Sequence, residues 1–267
     1  MSLLIRSHAA GADGCVVDVT PASAGWRHVG FRVHKLPTAR TVEGGGAARE
    51  TCLVILSGSA DVAVGAALFE NVGGRASVFE AAAPGAVYAP AGAAWRVTAR
   101  SDAELAVCTA PGRAGRAARL IDPSRMTQEV RGRGTNTRFV RNILPETEPA
   151  DSLLVVEVIT PGGHWSSYPP HKHDTAAAPD ETALEETYYH RLNPQQGFAF
   201  QRVYTDDRTL DETMAVEDGD VVLVPRGYHP VGAPHGYDLY YLNVMAGPER
   251  RWMFSNDPEH AWLAPKP

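Results

Sequence analysis

His171 and His173 stand on either side of Lys172 in the stretch SSYPPHKHD, directly after two prolines. Pro169 and Pro170 exclude a helix through the first histidine. In an extended chain, residues two apart point to one side. The two imidazoles therefore converge while Lys172 turns to the opposite face. Further along, Glu185 and Glu186 lead into TYYHR, and alternation puts Glu186, Tyr188 and His190 on one face. His229 follows in VLVPRGYH, two residues after Gly227. Three imidazoles and one carboxylate, brought from three strands, are a ligand set for a first-row metal that leaves positions open for substrate. A lone histidine is more often a surface or core residue, so it is the order and spacing that carry this reading. Seven of the ten histidines lie between His164 and His260, which concentrates the donors in one half of the chain.

These residues need strands to hold them, and the rest of the chain is built for strands. Short apolar runs are separated by many of the 25 glycines and 20 prolines. The pattern predicts one series of strands over 30–34, 51–56, 60–68, 86–89, 95–99 and 105–109. A second series is predicted over 153–160, 185–192, 198–205, 221–225 and 238–245. Regularly spaced short strands with turn signals, and almost no long amphipathic helical pattern, mean an all-β sandwich or barrel. VYAPAGAAW in the first series matches VLVPRGYH in the second: a buried strand, then Pro-x-Gly, then a residue that re-enters the barrel. That residue is Trp95 in one half and His229 in the other. The expected organisation is an N-terminal domain over 1–122 without ligands, an Arg-rich connector over 123–150, and a metal-bearing domain over 151–267. Where the first half might carry a His-x-His it has TVEGGGAARE. Glu50 alone cannot hold a transition metal, so that half reads as structural.

The bulk properties exclude several classes. A net charge of −6 and a pI near 5.9, without a basic stripe, argue against nucleic acid as a partner. Arginines cluster at Arg131–Arg133 and Arg138–Arg141, which reads as a solvated linker. Three scattered cysteines, Cys15, Cys52 and Cys108, argue against a disulfide framework and for a reducing compartment. No run approaches the ~20 apolar residues of a membrane span, and the N-terminus lacks a signal peptide. The expected setting is the cytoplasm, with no membrane partner and with homo-oligomerisation left open.

The order His-x-His, Glu, Gly-x5-Pro-x-Gly, His, completed here by Gly219, Pro225, Gly227 and His229, resembles the cupin pattern. The histidine comes one residue early relative to the commonest spacing. More narrowly, the blocks YPPHKHD, EETYYHRLNPQQGFAFQRVYTDD, VEDGDVVLVPRGYHPVGAPHGYDLYYLNVMAG and FSNDPEHAWL are similar to the bicupin family of 5-deoxy-glucuronate isomerases of bacterial myo-inositol catabolism. The resemblance implies two jelly-roll barrels in one chain. It implies an aldose–ketose isomerase that converts 5-deoxy-glucuronate, a small sugar acid, to 5-dehydro-2-deoxy-gluconate.

The ligand set fits that chemistry. One divalent transition metal per chain (Zn, Mn, Fe, Co or Ni) held by His171, His173, Glu186 and His229 can stabilise an enediolate, and no organic cofactor is needed. The expected proton carriers are His190, Tyr188 and, if its strand twists, Lys172. The expected substrate contacts are Arg191, Arg202, Tyr241 and Asn243. Two other classes share the ligands: a cupin-type iron dioxygenase, marked by an oxygen requirement, and a metal-bearing sugar-binding protein without turnover.

Overall fold

Strands form wherever the sequence alternates, and they assemble into layered antiparallel sheets. The computed structural model describes residues 2–264. Its single α-helix among the described residues is the four-residue Pro21–Ala24, and no helix is long and apolar enough to cross a membrane. Contacts divide the chain into two compact units. One comprises the residues up to Arg6, Gln128–Arg141, and those from Val156 onward. The other comprises Ser7–Thr127 and Asn142–Val155.

In the second of these units, a six-stranded sheet contains Arg49–Ser57 between Gly85–Ala89 and Ala103–Pro111. A four-stranded sheet runs Thr41–Gly45, Ala94–Ala99, Ser59–Val64, Ala67–Gly73. The core between them is Val, Leu, Ile and Ala from alternate positions, among them Leu53, Ile55, Val62, Val87, Val97 and Leu105. The single strand expected over 60–68 is a hairpin instead, because Gly65 and Ala66 make its turn.

This barrel fills the place where a ligand cluster would stand. Trp95 is buried and pairs across the sheet with Gly44. A Cβ on Gly44 would lie 2.4 Å from Cζ2 of Trp95, so the glycines of TVEGGG make room for the indole. Glu50 is fully buried and engaged as an acceptor. The amides of Asp151, Ser152 and Leu153 donate to its carboxylate at 2.6–2.7 Å, and Tyr88 donates its hydroxyl at 2.6 Å.

In the other unit, a seven-stranded sheet runs Leu4–Ile5, Val221–Val224, Glu185–Asn193, Asp238–Ala246, Leu154–Thr160, Arg138–Leu144, Gln128–Arg131. Facing strands come from a four-stranded sheet that includes Ala199–Tyr204 and Asp211–Val216, and from the short pair His171–Lys172 with Ser255–Asn256. Two expectations about 123–150 need correction. The segment is not a connector: Gln128 pairs with Arg141 and Arg131 with Arg138 in an antiparallel ladder. Nor are its arginines all solvated. Arg141 is buried and donates to Glu157 at 2.6 Å, and Glu157 also accepts from the Tyr240 hydroxyl at 3.0 Å. A buried guanidinium is tolerated only when paired, and here the pairing partner comes from a neighbouring strand that the local sequence does not reveal.

Candidate metal centre

Extended backbone at 171–173 sends both histidines the same way, as the alternation rule requires. His171 pairs with Asn256 across the short ladder, and the ligand atoms of His171, His173 and His229 lie within 4.8 Å of one another. Glu186, on the strand Glu185–Asn193, completes the group. Its Oε2 is 3.1 Å from His173 Nε2 and 3.3 Å from His229 Nε2. All four residues are buried.

The hydrogen bonds around these rings set which nitrogen faces the centre. His173 Nδ1 lies 3.3 Å from the Leu184 carbonyl and His229 Nδ1 2.9 Å from the Gly227 carbonyl. A carbonyl only accepts, so both Nδ1 atoms carry the proton and both Nε2 atoms present a lone pair. Two lone pairs then face one carboxylate oxygen, and His229 Nε2 has no hydrogen-bond donor near it. Acceptors brought this close need a positive charge between them, either a proton or a metal ion. Burial holds His229 down to about 4 and His171 well below its ordinary value; the neighbouring histidines lower His171 further. Burial also opposes a charge on His173, but the Glu186 carboxylate overrides it and raises that residue. His171 and His229 are therefore neutral at pH 7, the state in which imidazole ligates. The donor set fits a divalent transition metal.

A cavity of about 840 Å³ opens beside the cluster. His171, Tyr188, Tyr241, Asn243, Ser167 and Arg138 line it, with Val140, Val156, Val158, Trp252 and Phe254 as its apolar wall. The Tyr188 hydroxyl is 2.8 Å from Ser167 Oγ, and Tyr241 makes a short bond to Ser166 Oγ. The two phenol rings pack 4.8 Å apart. Burial raises the pKa of both tyrosines, so each keeps its proton through neutrality. Asn243 donates to the second oxygen of Glu186.

Residues 3–263 match the model of the KduI/IolB family. The chain belongs to that family. It is 56% identical over 261 residues to a 5-deoxy-glucuronate isomerase of Geobacillus kaustophilus, covering 98% of this chain and 95% of the relative. It is 49% identical over 249 residues to one of Bacillus subtilis strain 168, with coverage of 93% and 92%. The crystal structure of an IolB-like protein from Salmonella typhimurium superimposes with a TM-score of 0.96 at 50% identity, covering 98% of this chain and 99% of that one. Oxalate decarboxylase of Bacillus subtilis shares the fold, with a TM-score of 0.67 at 12% identity over 99% of this chain and 81% of that one. The architecture is a bicupin.

Within this KduI/IolB chain, the structure brings together some of the expected site residues and separates others. His171, His173, Glu186 and His229 converge, and Tyr188, Tyr241 and Asn243 stand on the cavity wall. Lys172 does not. It points away, with Nζ 3.0 Å from Asp174 and 3.6 Å from both Glu181 and Asp206, because the 171–173 backbone is extended rather than twisted. Arg191 faces outward and donates to Asp218 at 2.8 Å. Arg202 makes a bidentate pair with Asp211 at 2.7 Å, beside the buried Gln201 that takes the inward position. Neither arginine is on the cavity wall. His190 does face inward, but deeper in the barrel: its ring stacks 5.9 Å from that of Tyr188 and its Nε2 donates to Gln201 Oε1 at 2.9 Å. Burial pulls it down to about 4, which suits a base at neutral pH poorly. The residues missed are Arg138 and Ser167. Arg138 sits in the stretch read as linker, where its polarity hid the strand; Ser167 carries no sequence signal beyond its nearness to His171.

Proposed function

We propose that this chain is a metal-dependent 5-deoxy-glucuronate isomerase, converting the aldose acid to 5-dehydro-2-deoxy-gluconate in myo-inositol catabolism. The observation that carries the reading is the convergence of three histidines and one glutamate beside a cavity walled by two protonated tyrosines. Relatives named for that activity, aligned over nearly their whole lengths, support it. The substrate is a small sugar acid, which a cavity of this size accommodates.

His171, His173, His229 and Glu186 would hold one divalent metal per chain. When bound, the cation supplies a Lewis acid beside the two substrate oxygens that exchange roles. The chain's own groups do the rest. Backbone carbonyls at Leu184 and Gly227 hold the imidazoles in their ligating tautomer. Tyr188 and Tyr241 keep their protons and donate them, as hydrogen bonds, to oxygens that gain negative charge as the carbonyl moves. Ser167 and Ser166 fix where those hydroxyls point. The valines and Phe254 limit water at the reacting carbons.

Two results test this. Turnover in D2O is expected to place deuterium on the carbon that was the aldehyde, without added nicotinamide or flavin. A strict oxygen requirement would move the chain to the dioxygenase class. Tyr188→Phe is expected to lower kcat on the order of 10²-fold, while His190→Gln keeps most of its turnover. Equal losses in the two variants would put His190 back in the reaction.

A further inference from the structure

Of the three arginines on the cavity wall, Arg138 is the one that is neither paired with a carboxylate nor exposed. Arg138 lines the same space as His171, Tyr188, Tyr241 and Asn243. Its Nη1 donates to the carbonyls of Asn136 at 3.1 Å and Tyr168 at 3.3 Å. Among the described residues no carboxylate lies within ion-pair distance of it. The other arginines on the strands of this unit are paired: Arg131 with Glu129, Arg141 with Glu157, Arg191 with Asp218 and Arg202 with Asp211. Arg131 also lines the cavity, but its charge is met by Glu129, and its guanidinium lies over the Trp252 ring. Arg133 is exposed. Arg138 is half-buried, and a guanidinium partly withdrawn from water and left without a counter-ion is unfavourable. Such an arrangement persists when a ligand provides the missing charge.

We propose that Arg138 receives the carboxylate of the substrate, resting on the isomerase reading for the identity of that substrate. An aldose acid has its reacting carbonyl at one end and its carboxylate at the other. His171 of the histidine–glutamate cluster and the guanidinium line one cavity, so a single molecule there can reach both the edge of the cluster and Arg138. The planar fork of arginine can take a carboxylate through two parallel N–H donors, which fixes orientation as well as charge. The charge of Arg138 opposes the rise that burial imposes on Tyr241. Burial meanwhile disfavours the charged guanidinium itself. The anchor also gives selectivity. A neutral sugar of the same length would leave the cation unmet.

The test compares two substrates across three proteins, each metal-loaded. The substrates are 5-deoxy-glucuronate and 5-deoxy-glucose, in which a hydroxymethyl group replaces the carboxylate. Arg138→Gln is expected to raise KM for the acid on the order of 10²-fold, with kcat changed only a few-fold and metal content unaltered. The same variant should handle the neutral aldose about as the wild type does. Arg138→Lys should fall between, since it keeps the charge but loses the fork. An unchanged KM for the acid in a folded, metal-loaded Arg138→Gln protein overturns the proposal. So does an equal loss on both substrates, which would mean a structural role. If the wild type is inert on 5-deoxy-glucuronate, the isomerase reading fails instead. Calorimetric binding of glucuronate then tests the anchor separately: affinity lost in Arg138→Gln supports it, and equal affinity in the two proteins overturns it.

Discussion

Purified protein is expected to carry about one divalent metal per chain, and His173→Ala or Glu186→Gln to carry almost none. His173 and His229 both aim Nε2 at the same oxygen of Glu186, at 3.1 and 3.3 Å. His173→Ala deletes one of the four donors and the imidazole that shares Glu186 Oε2, whereas Glu186→Gln removes the one anionic donor and leaves three neutral imidazoles facing a buried dication with no neutralising charge. Activity should fall with metal content, by about 10³-fold or more if the cation supplies several kcal/mol of stabilisation to the developing charge. Glu185→Gln is the matched control. Glu185 precedes Glu186 on the same strand and, by alternation, points the other way; only Glu186 reaches the histidines. It should keep most of its metal. Metal analysis of the four proteins, joined to turnover measured before and after chelator treatment, decides the matter. Two equivalents retained per chain, or loss in Glu185→Gln with retention in Glu186→Gln, would overturn the assignment.

The second large effect is on stability and concerns the carboxylate that binds no metal. Glu50 is fully buried, and four donors converge on it: three consecutive amides and one phenol. Glu50→Ala strands those donors. At about 1–3 kcal/mol for each donor left dry, and allowing for water at the part-buried amides of Asp151 and Ser152, the expected loss is roughly 4 kcal/mol. That is a large share of the ~5–15 kcal/mol by which a domain is stable. Glu50→Gln keeps one acceptor but turns an amide donor toward other donors, so it should lose roughly half as much. Denaturant unfolding of the full chain measures both. A loss under ~1 kcal/mol for Glu50→Ala would mean that water replaces the carboxylate without difficulty.

The ligand set was legible because its geometry follows from one rule, the period of two along a strand. His171 with His173, and Glu186 with Tyr188, share faces for that reason alone. The same rule turns Lys172 and Arg191 outward, where each finds an aspartate. What the period does not encode is depth. His190 lies on the correct face, yet two residues beyond Tyr188 it has passed the cavity wall and packs against Gln201. Pairing across distant segments was equally hidden. Arg138–Arg141 reads as solvent-exposed until Glu157 is known to lie beside Arg141, and Arg138 becomes conspicuous only once its neighbours are seen to be neutralised. The first barrel shows the reverse case. TVEGGG announced the absence of histidines, but only the contact with Trp95 explains why glycines stand there.

The interleaved segments of the two units bear on how the chain matures as it leaves the ribosome. Ser7–Thr127 emerge early, but their barrel also uses Asn142–Val155, and the amides that cap Glu50 lie in that later piece. Between them, Gln128–Arg141 must wait for strands not yet made. Leu4 and Ile5 wait longest, because their partners are Val222 and Val221. At the usual ~5–20 residues per second, about 200 residues of further synthesis leave that first strand unpaired for roughly 10–40 s. Neither half of the gene, cut at residue 150, encodes a complete barrel. A fragment beginning there would carry the four metal-centre residues but would lack three strands of the seven-stranded sheet, Leu4–Ile5 at one edge and Arg138–Leu144 with Gln128–Arg131 at the other, and with them Arg138.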